Sequence, residues 1–351
     1  MEGNRKKKVL LIGPLPPPIG GTTVSFDYLV KATDKINSFE FKVVNLKLSE
    51  NRLKNILLQV FLLLRIISLI FTHDIISFHA NPRRIAVWGP IFLRIAKLLG
   101  KKIQFRFFGS DLDLFYKESN VNELLIHKLK AADQILLQTK GLIKFWREHL
   151  KTEDNVHWFA TSRPIAIESV EKRVNEVVRF VYAGHVKEEK GIKVLLDAFK
   201  QLDHEEQVIL DIYGKCTDAE LESRMRNMER VNYIGEVTAD VIRKQLFTYD
   251  AFLFPSFWKG EGYPGALIEA MQAGLPIVST DWRYLTELVE HDYNGLLIEP
   301  QNIPDLVKAM TYLIEKPNKR EEYGKNSKTF VKKFDSDEWN YRVFESLLRK
   351  F

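Results

Sequence analysis

Short apolar runs alternate with segments of helical periodicity through the first half of the chain. The runs are rich in β-branched and aromatic residues, as buried strands are. They predict strands at Lys8–Gly13, Phe41–Asn45, Ile75–His79, Ile103–Phe107 and Gln134–Gln138. The segments between them predict helices at Gly20–Lys31, Asn51–Phe71, Ile85–Leu99, Asn122–Ala132 and Gly141–Leu150. This alternation indicates an α/β domain whose parallel sheet binds ligands beyond the carboxyl ends of its strands.

The pattern breaks in the polar stretch Arg163–Asn175, which we interpret as an interdomain linker, and then resumes. Further strands are predicted at Val177–Ala183, Gln207–Tyr213, Val231–Ile234, Ala251–Pro255, Pro276–Ser279 and Asn294–Ile298. Further helices are predicted at Gly191–Gln201, Asp218–Met228, Thr238–Thr248, Gly265–Ala273 and Tyr284–Glu290, and more helices close the chain. The chain therefore contains two α/β units of similar size, and we expect the ligand site in the crevice between them.

The composition is that of a globular protein. Of the 351 residues, 45% are hydrophobic and 28% are charged, which excludes a disordered or fibrous chain. The single cysteine, Cys216, excludes a disulfide framework and a cysteine-rich zinc site. The chain has no Asn-x-Ser/Thr sequon, and both facts fit a reducing cytosol. The apolar run Val9–Ile12 after the basic N-terminus is too short for a signal peptide.

Positive charge is concentrated in residues 51–110. This segment holds ten lysines and arginines and a single acid, Asp74, although the net charge of the whole chain is only +6. Such an asymmetry indicates an anionic partner for one face of the first half. Nucleic acid is a weaker interpretation, because no arrangement of basic and aromatic residues resembles a base-reading module.

The same segment contains a very apolar helix. Between Ile56 and Phe71, 13 of 16 residues are apolar, interrupted by Gln59, Arg65 and Ser68. A spanning helix needs about 20 residues, and a central arginine costs about 2.5–3.5 kcal/mol, so we do not expect a transmembrane span. Two interpretations stay open: a helix buried in its own domain, or a helix partly exposed to an anionic bilayer surface.

The first strand of each half leads into a loop suited to phosphate binding. Residues 13–23 read GPLPPPIGGTT and enter a helix at Gly20 and Gly21. Glycines let backbone amides approach a phosphate, and a helix N-terminus favours anions. Residues 180–191 read FVYAGHVKEEKG and place Lys190 at the next helix entrance, where an ammonium group could neutralise a diphosphate. The first of these loops is neither a dinucleotide fingerprint nor a Walker P-loop.

Two carboxylates lie in the stretch FPSFWKGEGYPGALIEAMQAGLP, residues 254–276. Glu261 lies in the loop after a buried strand, and Glu269 lies inside the following helix among apolar residues. Carboxylates are natural acceptors for the hydroxyl groups of a sugar and a ribose. The surrounding glycines allow a ligand to approach the backbone closely.

Residues 261–278, EGYPGALIEAMQAGLPIV, resemble the signature of the family 4 retaining glycosyltransferases. Gly184-x5-Lys190-Gly191, Gly235–Val237 and Asn294–Leu297 follow in the order that this family shows. The resemblance implies the B-type glycosyltransferase fold, an α/β architecture with two Rossmann-like domains facing a central cleft. It implies an N-terminal acceptor domain at residues 1–165, a donor domain at 176–336, and a C-terminal helix 337–351 that packs back on the first domain.

The resemblance also implies roles for individual residues. Glu269 would hold the ribose, Glu261 would contact the hydroxyls of the donor sugar, and Lys190 would neutralise the diphosphate. The residues expected to line the donor site are Gly20, Gly21, His185, Lys190, Gly235, Glu236, Val237, Glu261, Gly262, Tyr263, Pro264, Gly265 and Glu269. The residues expected to take part in catalysis are Glu261, His79 and Lys190.

Two positions depart from the family pattern. His185 stands where the family usually has arginine, so a bidentate phosphate clamp is lost, although one hydrogen bond remains available. Phe108 stands where the family often has a histidine before Gly-x-Asp, and it cannot hydrogen-bond a sugar. His79, at the end of a predicted strand, could take over that role. Arg106 is a further candidate residue for the active-site crevice.

These features predict a cytoplasmic glycosyltransferase of hexosyltransferase type, peripheral at the inner face of the cell membrane. It would move a sugar from a nucleoside diphosphate donor to a polysaccharide, such as lipopolysaccharide or capsule, or to a polyprenyl-linked glycan. In a retaining front-face transfer the leaving phosphate itself takes the acceptor's proton, while Lys190 and the helix N-termini stabilise the phosphate. We expect no obligatory cofactor and no nucleic-acid partner.

Three alternatives accompany this prediction. Asp111 and Asp113 form an Asp-x-Asp pattern, but Gly109 and Ser110 place them at a helix start, which favours capping over metal binding. A sugar-nucleotide epimerase of the same fold would need further acid–base groups. A catalytically silent homologue acting as a binding partner is motivated by His185 and Phe108.

Overall fold

The computed structural model of the chain describes residues 5–18, 20–47, 51–164, 177–203 and 208–335. It divides into two compact units: the described residues up to Thr161 belong to the first, and Ser162–Asp335 form the second. The expected linker lies for the most part outside the described residues, and the expected C-terminal helix 337–351 lies entirely outside them. The exact domain limits therefore stay predictions.

The first unit contains a parallel six-stranded sheet. Its strands are β1 (Lys7–Gly13), β2 (Phe39–Asn45), β3 (Ile75–Ala80), β4 (Lys102–Phe107), β5 (Gln134–Leu137) and β6 (Val156–Trp158). They lie in the order β2-β1-β3-β4-β5-β6. Every residue of β3 is buried, because this strand lies inside the sheet between β1 and β4. The strand order reverses between β1 and β3, which is where such sheets bind ligands.

Six helices are described in the first unit. They are α1 (Gly21–Ala32), α2 (Arg52–Ile70), α3 (Pro82–Leu98), α4 (Leu112–Glu118), α5 (Asn120–Lys128) and α6 (Lys140–Leu150). Side-chain caps fix several of their starts. The amide oxygen of Asn51 accepts from the backbone N–H of Lys54 at 3.1 Å, and that of Asn81 accepts from Arg84 at 2.9 Å. Such caps satisfy backbone donors that the first turn leaves free.

Helix α2 is buried along one edge only. Leu62, Ile66 and Ile70 pack inward, whereas the side chains of Leu53 and Leu57 are 74% and 70% exposed. Within the described part of the chain, α2 is the one helix long and apolar enough to cross a membrane by length and composition, and 17% of its most apolar window is buried. The interpretation of α2 as a helix buried in its domain is therefore wrong for its outer face.

The second unit repeats the architecture with a different strand order. Its strands are β7 (Val178–Ala183), β8 (Val208–Tyr213), β9 (Val231–Gly235), β10 (Ala251–Phe254), β11 (Ile277–Thr280) and β12 (Gly295–Ile298). They form a parallel sheet in the order β12-β11-β10-β7-β8-β9. Its helices are α7 (Ile192–Lys200), α8 (Ala219–Arg226), α9 (Ala239–Gln245), α10 (Gly265–Gln272), α11 (Ile303–Glu315) and α12 (Pro317–Val331). The order reverses between β7 and β10.

Three elements differ from the sequence-based expectation. Only a helix start was expected near Asp111, and the structure forms the short helix α4 there, which ends where Ser119 is extended and caps α5 by accepting from the backbone N–H of Asn122 at 3.2 Å. Strand β6 was not predicted, since three residues carry too little periodicity to identify a strand. The helix expected at Tyr284–Glu290 is only the short 3₁₀ turn Leu285–Glu287.

Candidate functional site

The two loops that follow β7 and β10 meet where the strand order of the second sheet reverses. Lys190 follows β7 and Glu261 follows β10, and these two strands are hydrogen-bonded neighbours. Their side chains form an ion pair with Lys190 Nζ 2.6 Å from Glu261 Oε2. Both are largely shielded from solvent, with 14% of the lysine and 5% of the glutamate side chain exposed. The topology therefore brings together two residues 71 positions apart, both of which the sequence singled out.

Further contacts fix this pair. The hydroxyl of Ser256 donates to Glu261 Oε2 at 2.5 Å. The ammonium of Lys190 lies over the ring of Trp258, 4.4 Å from its centroid, in a cation–π contact. Oε2 of Glu261 therefore receives two donors, and no hydrogen bond to its Oε1 is recorded within the described residues. A ligand hydroxyl could donate to Oε1 while the protein holds the other oxygen.

Gly191 brings the Lys190 loop close to the loop after β10. Its φ is +78°, in the region that favours glycine, and a Cβ at this position would collide with the backbone oxygen of Pro255. A backbone hydrogen bond also joins the two loops: the N–H of Phe257 donates to the carbonyl of Glu189 at 2.9 Å. The lysine and the glutamate can therefore pair because a glycine follows the lysine.

Glu269 forms a second buried ion pair. Its Oε1 accepts from Nε of Arg163 at 2.6 Å, and 4% of the arginine and 8% of the glutamate side chain are exposed. Arg163 also donates through Nη1 to the carbonyl of Ser162 at 3.0 Å. As at Glu261, one carboxylate oxygen is held by a protein cation, and no hydrogen bond to Oε2 is recorded for the described residues. That oxygen could accept a ribose hydroxyl.

The residues between the two glutamates have distinct positions. The phenol of Tyr263 donates to Oε2 of Glu287 at 2.5 Å, so its hydroxyl is engaged within the unit. Pro264 stands at the N-cap of α10, and Gly265 is the first residue of that helix. A side chain on Gly265 would collide with the guanidinium of Arg163, so this glycine makes room for the Arg163–Glu269 pair. Gly262 is buried in the preceding loop.

His185 is exposed beside several charged groups. Partial burial and then the positive charge of Lys190 lower the pKa of His185, while Glu236 acts in the opposite direction. Glu236 and Val237 follow β9, whose last residue, Gly235, accepts a hydrogen bond from the backbone N–H of Gly214 at 2.8 Å. The phenol of Tyr182 donates to the carbonyl of His185 at 2.8 Å. Burial, and then the charge of Glu261, holds the pKa of Tyr182 well above its ordinary value, so this phenol stays protonated.

In the first unit, Gly20 and Gly21 stand at the start of α1. The N–H of Gly20 donates to Oγ1 of Thr23 at 3.0 Å, and that hydroxyl donates to the carbonyl of Pro18 at 2.8 Å. Open space surrounds the position that a Cβ of Gly21 would occupy. Both glycines therefore lie at a helix entrance, as expected for a phosphate-binding turn.

His79 is fully buried near the end of β3, at the reversal point of the first sheet. The amide nitrogen of Gln104 donates to the hydroxyl of Ser77 at 2.5 Å, and Ser77 lies 2.6 Å from Nε2 of His79. With the serine hydrogen directed to Nε2, the neutral imidazole carries its own proton on Nδ1. Nδ1 has no hydrogen-bond partner within the described residues. Burial, and then the charge of Arg106, holds the pKa of His79 well below its usual value, so the ring is neutral at pH 7.

Arg106 is buried beside His79 and contacts two aromatic rings. Its guanidinium lies 4.1 Å from the ring centroid of Phe159 and 4.6 Å from that of Phe108. One of its nitrogens donates to Oγ of Ser25 at 3.2 Å. Phe108, the residue that departs from the family pattern, therefore packs its ring against the guanidinium of Arg106. The ring centroids of Phe108 and His79 are 6.2 Å apart.

The described residues contain no cluster of three or more His, Cys, Asp or Glu side chains suited to a metal ion. Asp111 stands at the N-cap of α4, where its carbonyl accepts from the N–H of Phe115 at 2.8 Å, and Asp113 lies in the first turn. The Asp-x-Asp pattern thus starts a helix, as the glycine and serine before it indicate.

Sequence reasoning missed Arg163, Ser256 and the Ser77–Gln104 pair. Arg163 was assigned to the linker because it opens a polar stretch, and its partner lies 106 residues further on. Ser256 lies five residues before Glu261 in the same loop, but a lone serine carries no signal of its own. Ser77 precedes His79 by two residues, a spacing that places both side chains on one face of β3. That spacing was the one available clue.

This chain is similar to known proteins both in amino-acid sequence and in fold. Residues 165–330 match the family model described as glycosyl transferases group 1. Over these residues the chain is similar to the group 1 glycosyl transferases. The match covers nearly all of the second unit and contains Lys190, Glu261 and Glu269. The family resemblance of the sequence is thereby confirmed.

Relatives extend the similarity into the first unit. An uncharacterized glycosyltransferase of Methanocaldococcus jannaschii is 25% identical over 252 residues, 68% of this chain and 62% of the relative. The amylovoran biosynthesis glycosyltransferase AmsK of Erwinia amylovora is 30% identical over 135 residues, 35% of this chain and 33% of AmsK. The matches therefore span less than two thirds of either relative.

The solved structures show the fold. Anabaena HepE in complex with UDP matches 98% of this chain and all of its own chain with a TM-score of 0.75, at 17% identity. Both units of this chain thus have the α/β architecture of B-type glycosyltransferases, and each is a Rossmann-like domain. The predicted fold class, an α/β protein with two Rossmann-like domains of the B-type glycosyltransferase fold, is confirmed.

Proposed function

We propose that this protein transfers a hexose, with retention of anomeric configuration, from a nucleoside diphosphate sugar to a polysaccharide or lipid-linked glycan. The observation that carries the proposal is the pair formed by Lys190 and Glu261 at the reversal point of the second sheet. It supplies a shielded cation for a diphosphate beside a carboxylate oxygen for a sugar hydroxyl. The UDP bound to HepE and the amylovoran pathway named for AmsK support the donor and acceptor classes.

Donor binding would use the same arrangement twice. Glu269 would accept a ribose hydroxyl on Oε2 while Arg163 keeps Oε1, and Glu261 would accept a sugar hydroxyl on Oε1 while Ser256 keeps Oε2. Lys190 has three N–H donors, so it can turn part of its charge to the diphosphate. Tyr263, Pro264 and Gly265 would line the path between the two carboxylates, with Gly262 before them.

The remaining candidate residues would border the nucleotide. His185 would donate one hydrogen bond to a phosphate, and Gly235, Glu236 and Val237 would lie by the base. Gly20 and Gly21 of the first unit would offer backbone amides to phosphate. His79 would donate a hydrogen bond from Nδ1 to a hydroxyl of the donor sugar. Arg106 would supply positive charge beside the imidazole ring of His79.

The transfer itself develops positive charge at the anomeric carbon and negative charge on the leaving diphosphate. Lys190 would stabilise the leaving group, because an ammonium held away from bulk water interacts strongly with a developing anion. The leaving phosphate would take the proton of the acceptor hydroxyl from the same face of the sugar. No protein nucleophile and no cofactor is required for this route. We further propose that the enzyme works in the cytoplasm, at the inner face of the cell membrane.

Product analysis tests the proposal. The full-length protein is incubated with labelled UDP-, GDP- and dTDP-hexoses and with lipid extract or polysaccharide fragments. We expect one donor to give acceptor-dependent release of nucleoside diphosphate and a glycoside of unchanged anomeric configuration by NMR. Lys190→Met should lower turnover at least about a hundredfold, as loss of an oxyanion-stabilising donor does.

Lys193→Met is the matched control, because Lys193 lies three residues away and forms an ion pair on the surface with Glu188 at 2.7 Å. Its turnover should equal that of the wild type. A product of inverted configuration would contradict the retaining mechanism. Absence of turnover with every donor and acceptor would favour the silent homologue.

A further inference from the structure

Helices α2 and α3 lie side by side on the same face of the first sheet. Helix α2 connects β2 to β3 and α3 connects β3 to β4, and both steps run in the same direction across the order β2-β1-β3-β4. Right-handed crossovers in the same direction place both helices on one face. The side chain of Arg84 on α3 donates to Oε1 of Gln59 on α2 at 3.1 Å. The two outer surfaces therefore form one continuous area, which we call the α2–α3 surface.

The α2–α3 surface is strongly apolar. On each helix, large apolar side chains with more than a third of their area exposed recur at helical spacing and so share one stripe. These are Leu53, Ile56, Leu57, Val60, Phe61 and Leu64 on α2, and Val87, Ile91 and Leu98 on α3. Apolar areas of this extent on a folded domain mark a site of contact with another apolar phase.

Charge on this surface has one sign. Neither helix contains an aspartate or a glutamate. Lys54 and Arg65 are exposed and lie eleven residues apart, three helical turns, so both stand on the same border of the apolar stripe of α2. Arg52 and Arg94 are exposed as well. An apolar stripe bordered by cations is the pattern of a helix that lies in the interface of an anionic membrane.

We infer that the α2–α3 surface docks flat on an anionic phospholipid bilayer, with the apolar stripe among the acyl chains and the basic residues against the headgroups. The inner edge of α2, at Leu62, Ile66 and Ile70, is packed in the unit, so the helix lies on the membrane and does not cross it. The inference deepens the proposed function, on which it rests for its purpose: docking would bring a lipid-linked acceptor to the enzyme.

Vesicle binding of the full-length protein tests this surface. Sucrose-loaded vesicles of phosphatidylcholine alone, or of phosphatidylcholine and phosphatidylglycerol at about 7:3, are sedimented with the protein. We expect at least about tenfold stronger partitioning to the anionic vesicles, weakened by salt as exposed charges are screened. The triple variant Leu57→Gln/Phe61→Gln/Leu64→Gln should lose binding at least about tenfold, and Lys54→Gln/Arg65→Gln should lose the preference for anionic lipid.

A matched control replaces an exposed apolar residue in the second unit. Val241 on α9 is 44% exposed, so Val241→Gln removes apolar surface without altering the first unit. It should bind vesicles like the wild type. Thermal melts of all variants show that they fold.

Several results would overturn the inference. One is a wild type that binds neither vesicle, and another is a triple variant that binds like the control. Retention of the wild type in membranes after alkaline carbonate extraction would indicate a spanning helix instead. A wild-type dimer that the triple variant dissociates, without vesicle binding, would assign the surface to a second copy of the chain. Titration of each variant with nucleoside diphosphate sugar reports separately on the proposed function.

Discussion

Glu261 and Glu269 show the same arrangement at the level of single residues. Each carboxylate is shielded, each gives one oxygen to a protein cation, and for each the described residues show no partner on the other oxygen. Burying a charge is costly unless a partner of opposite charge compensates it. Lys190 and Arg163 therefore compensate the two carboxylates and orient them before any ligand arrives.

Removing one partner of the Arg163–Glu269 pair should destabilise the protein. We expect Arg163→Met to lower the free energy of unfolding by about 3–5 kcal/mol, because it leaves a buried charge without its partner. Urea unfolding measures the change. The double variant Arg163→Met/Glu269→Leu should recover most of the loss but bind no nucleotide. A single variant as stable as the wild type would contradict the account of this pair.

The neutral state of His79 predicts a pH dependence of stability. Its pKa in the folded protein lies well below the ordinary value of 6.5, so the unfolded chain binds the proton more readily. Titration of His79 therefore leaves the free energy of unfolding unchanged above about pH 6.5. As the pH falls below that value, the free energy of unfolding decreases by up to about 1.4 kcal/mol for each pH unit.

Comparison with His79→Gln isolates this contribution, because all other groups titrate alike in both proteins. The stability difference between wild type and variant, from urea unfolding between pH 7.5 and 5, should change in favour of the variant as the pH falls. A difference that does not vary with pH would show that His79 is protonated as easily in the fold as in the unfolded chain.

The candidate residues could be found from the sequence where their signal is local. Lys190, Glu261 and Glu269 stand in motifs with characteristic spacing, and the structure places the first two in contact. Arg163 could not be assigned in the same way, because what makes it a site residue is a contact 106 residues away along the chain. The partner of a buried charge is decided by tertiary structure, which a lone arginine before a proline does not reveal.

At the level of elements, the loop between β7 and α7 depends on Gly191. Any other residue would adopt its positive φ at a cost and would collide with the carbonyl of Pro255. We expect Gly191→Ala to lower the free energy of unfolding by about 1–3 kcal/mol or more. Gly21→Ala is the control, since a Cβ there meets open space, and thermal or urea unfolding compares the two. Equal stability of both variants would contradict the strain at Gly191.

Strands were the most predictable elements and short ones the least. Of the twelve strands in the described residues, buried apolar runs identified eleven, because a strand inside a parallel sheet is apolar on both faces. β6 has three residues and lies at the sheet edge, where that rule weakens. The periodicity of α2 predicted a helix correctly, but it could not tell burial by protein from exposure, since both environments select the same apolar side chains.

At the level of the whole molecule, each unit has a reversal of strand order, and the candidate residues gather there. His79 and the glycines of the first loop belong to the reversal between β1 and β3, and Lys190 and Glu261 belong to that between β7 and β10. The two α/β halves could be predicted from the alternation of patterns alone. The strand orders, which position both sites, depend on pairings between distant segments and were not predicted.

The central claim, that the second unit binds a nucleoside diphosphate sugar through Lys190, Glu261 and Glu269, is tested most directly by calorimetric titration. Nucleoside diphosphate sugars and the matching free nucleoside diphosphates are titrated into the wild type, Glu261→Gln and Glu269→Gln. The control is Glu229→Gln, because Glu229 is exposed on the surface of the same unit. We expect one sugar nucleotide to bind the wild type and the control alike.

Glu261→Gln should weaken binding of the sugar nucleotide at least about tenfold, or 1.4 kcal/mol. Binding of the free nucleoside diphosphate should be unchanged or tighter, because Lys190 is released from its ion pair. Glu269→Gln should weaken the binding of both ligands, because both contain the ribose. Binding that neither substitution alters, or no binding of any nucleotide to the wild type, would contradict the account.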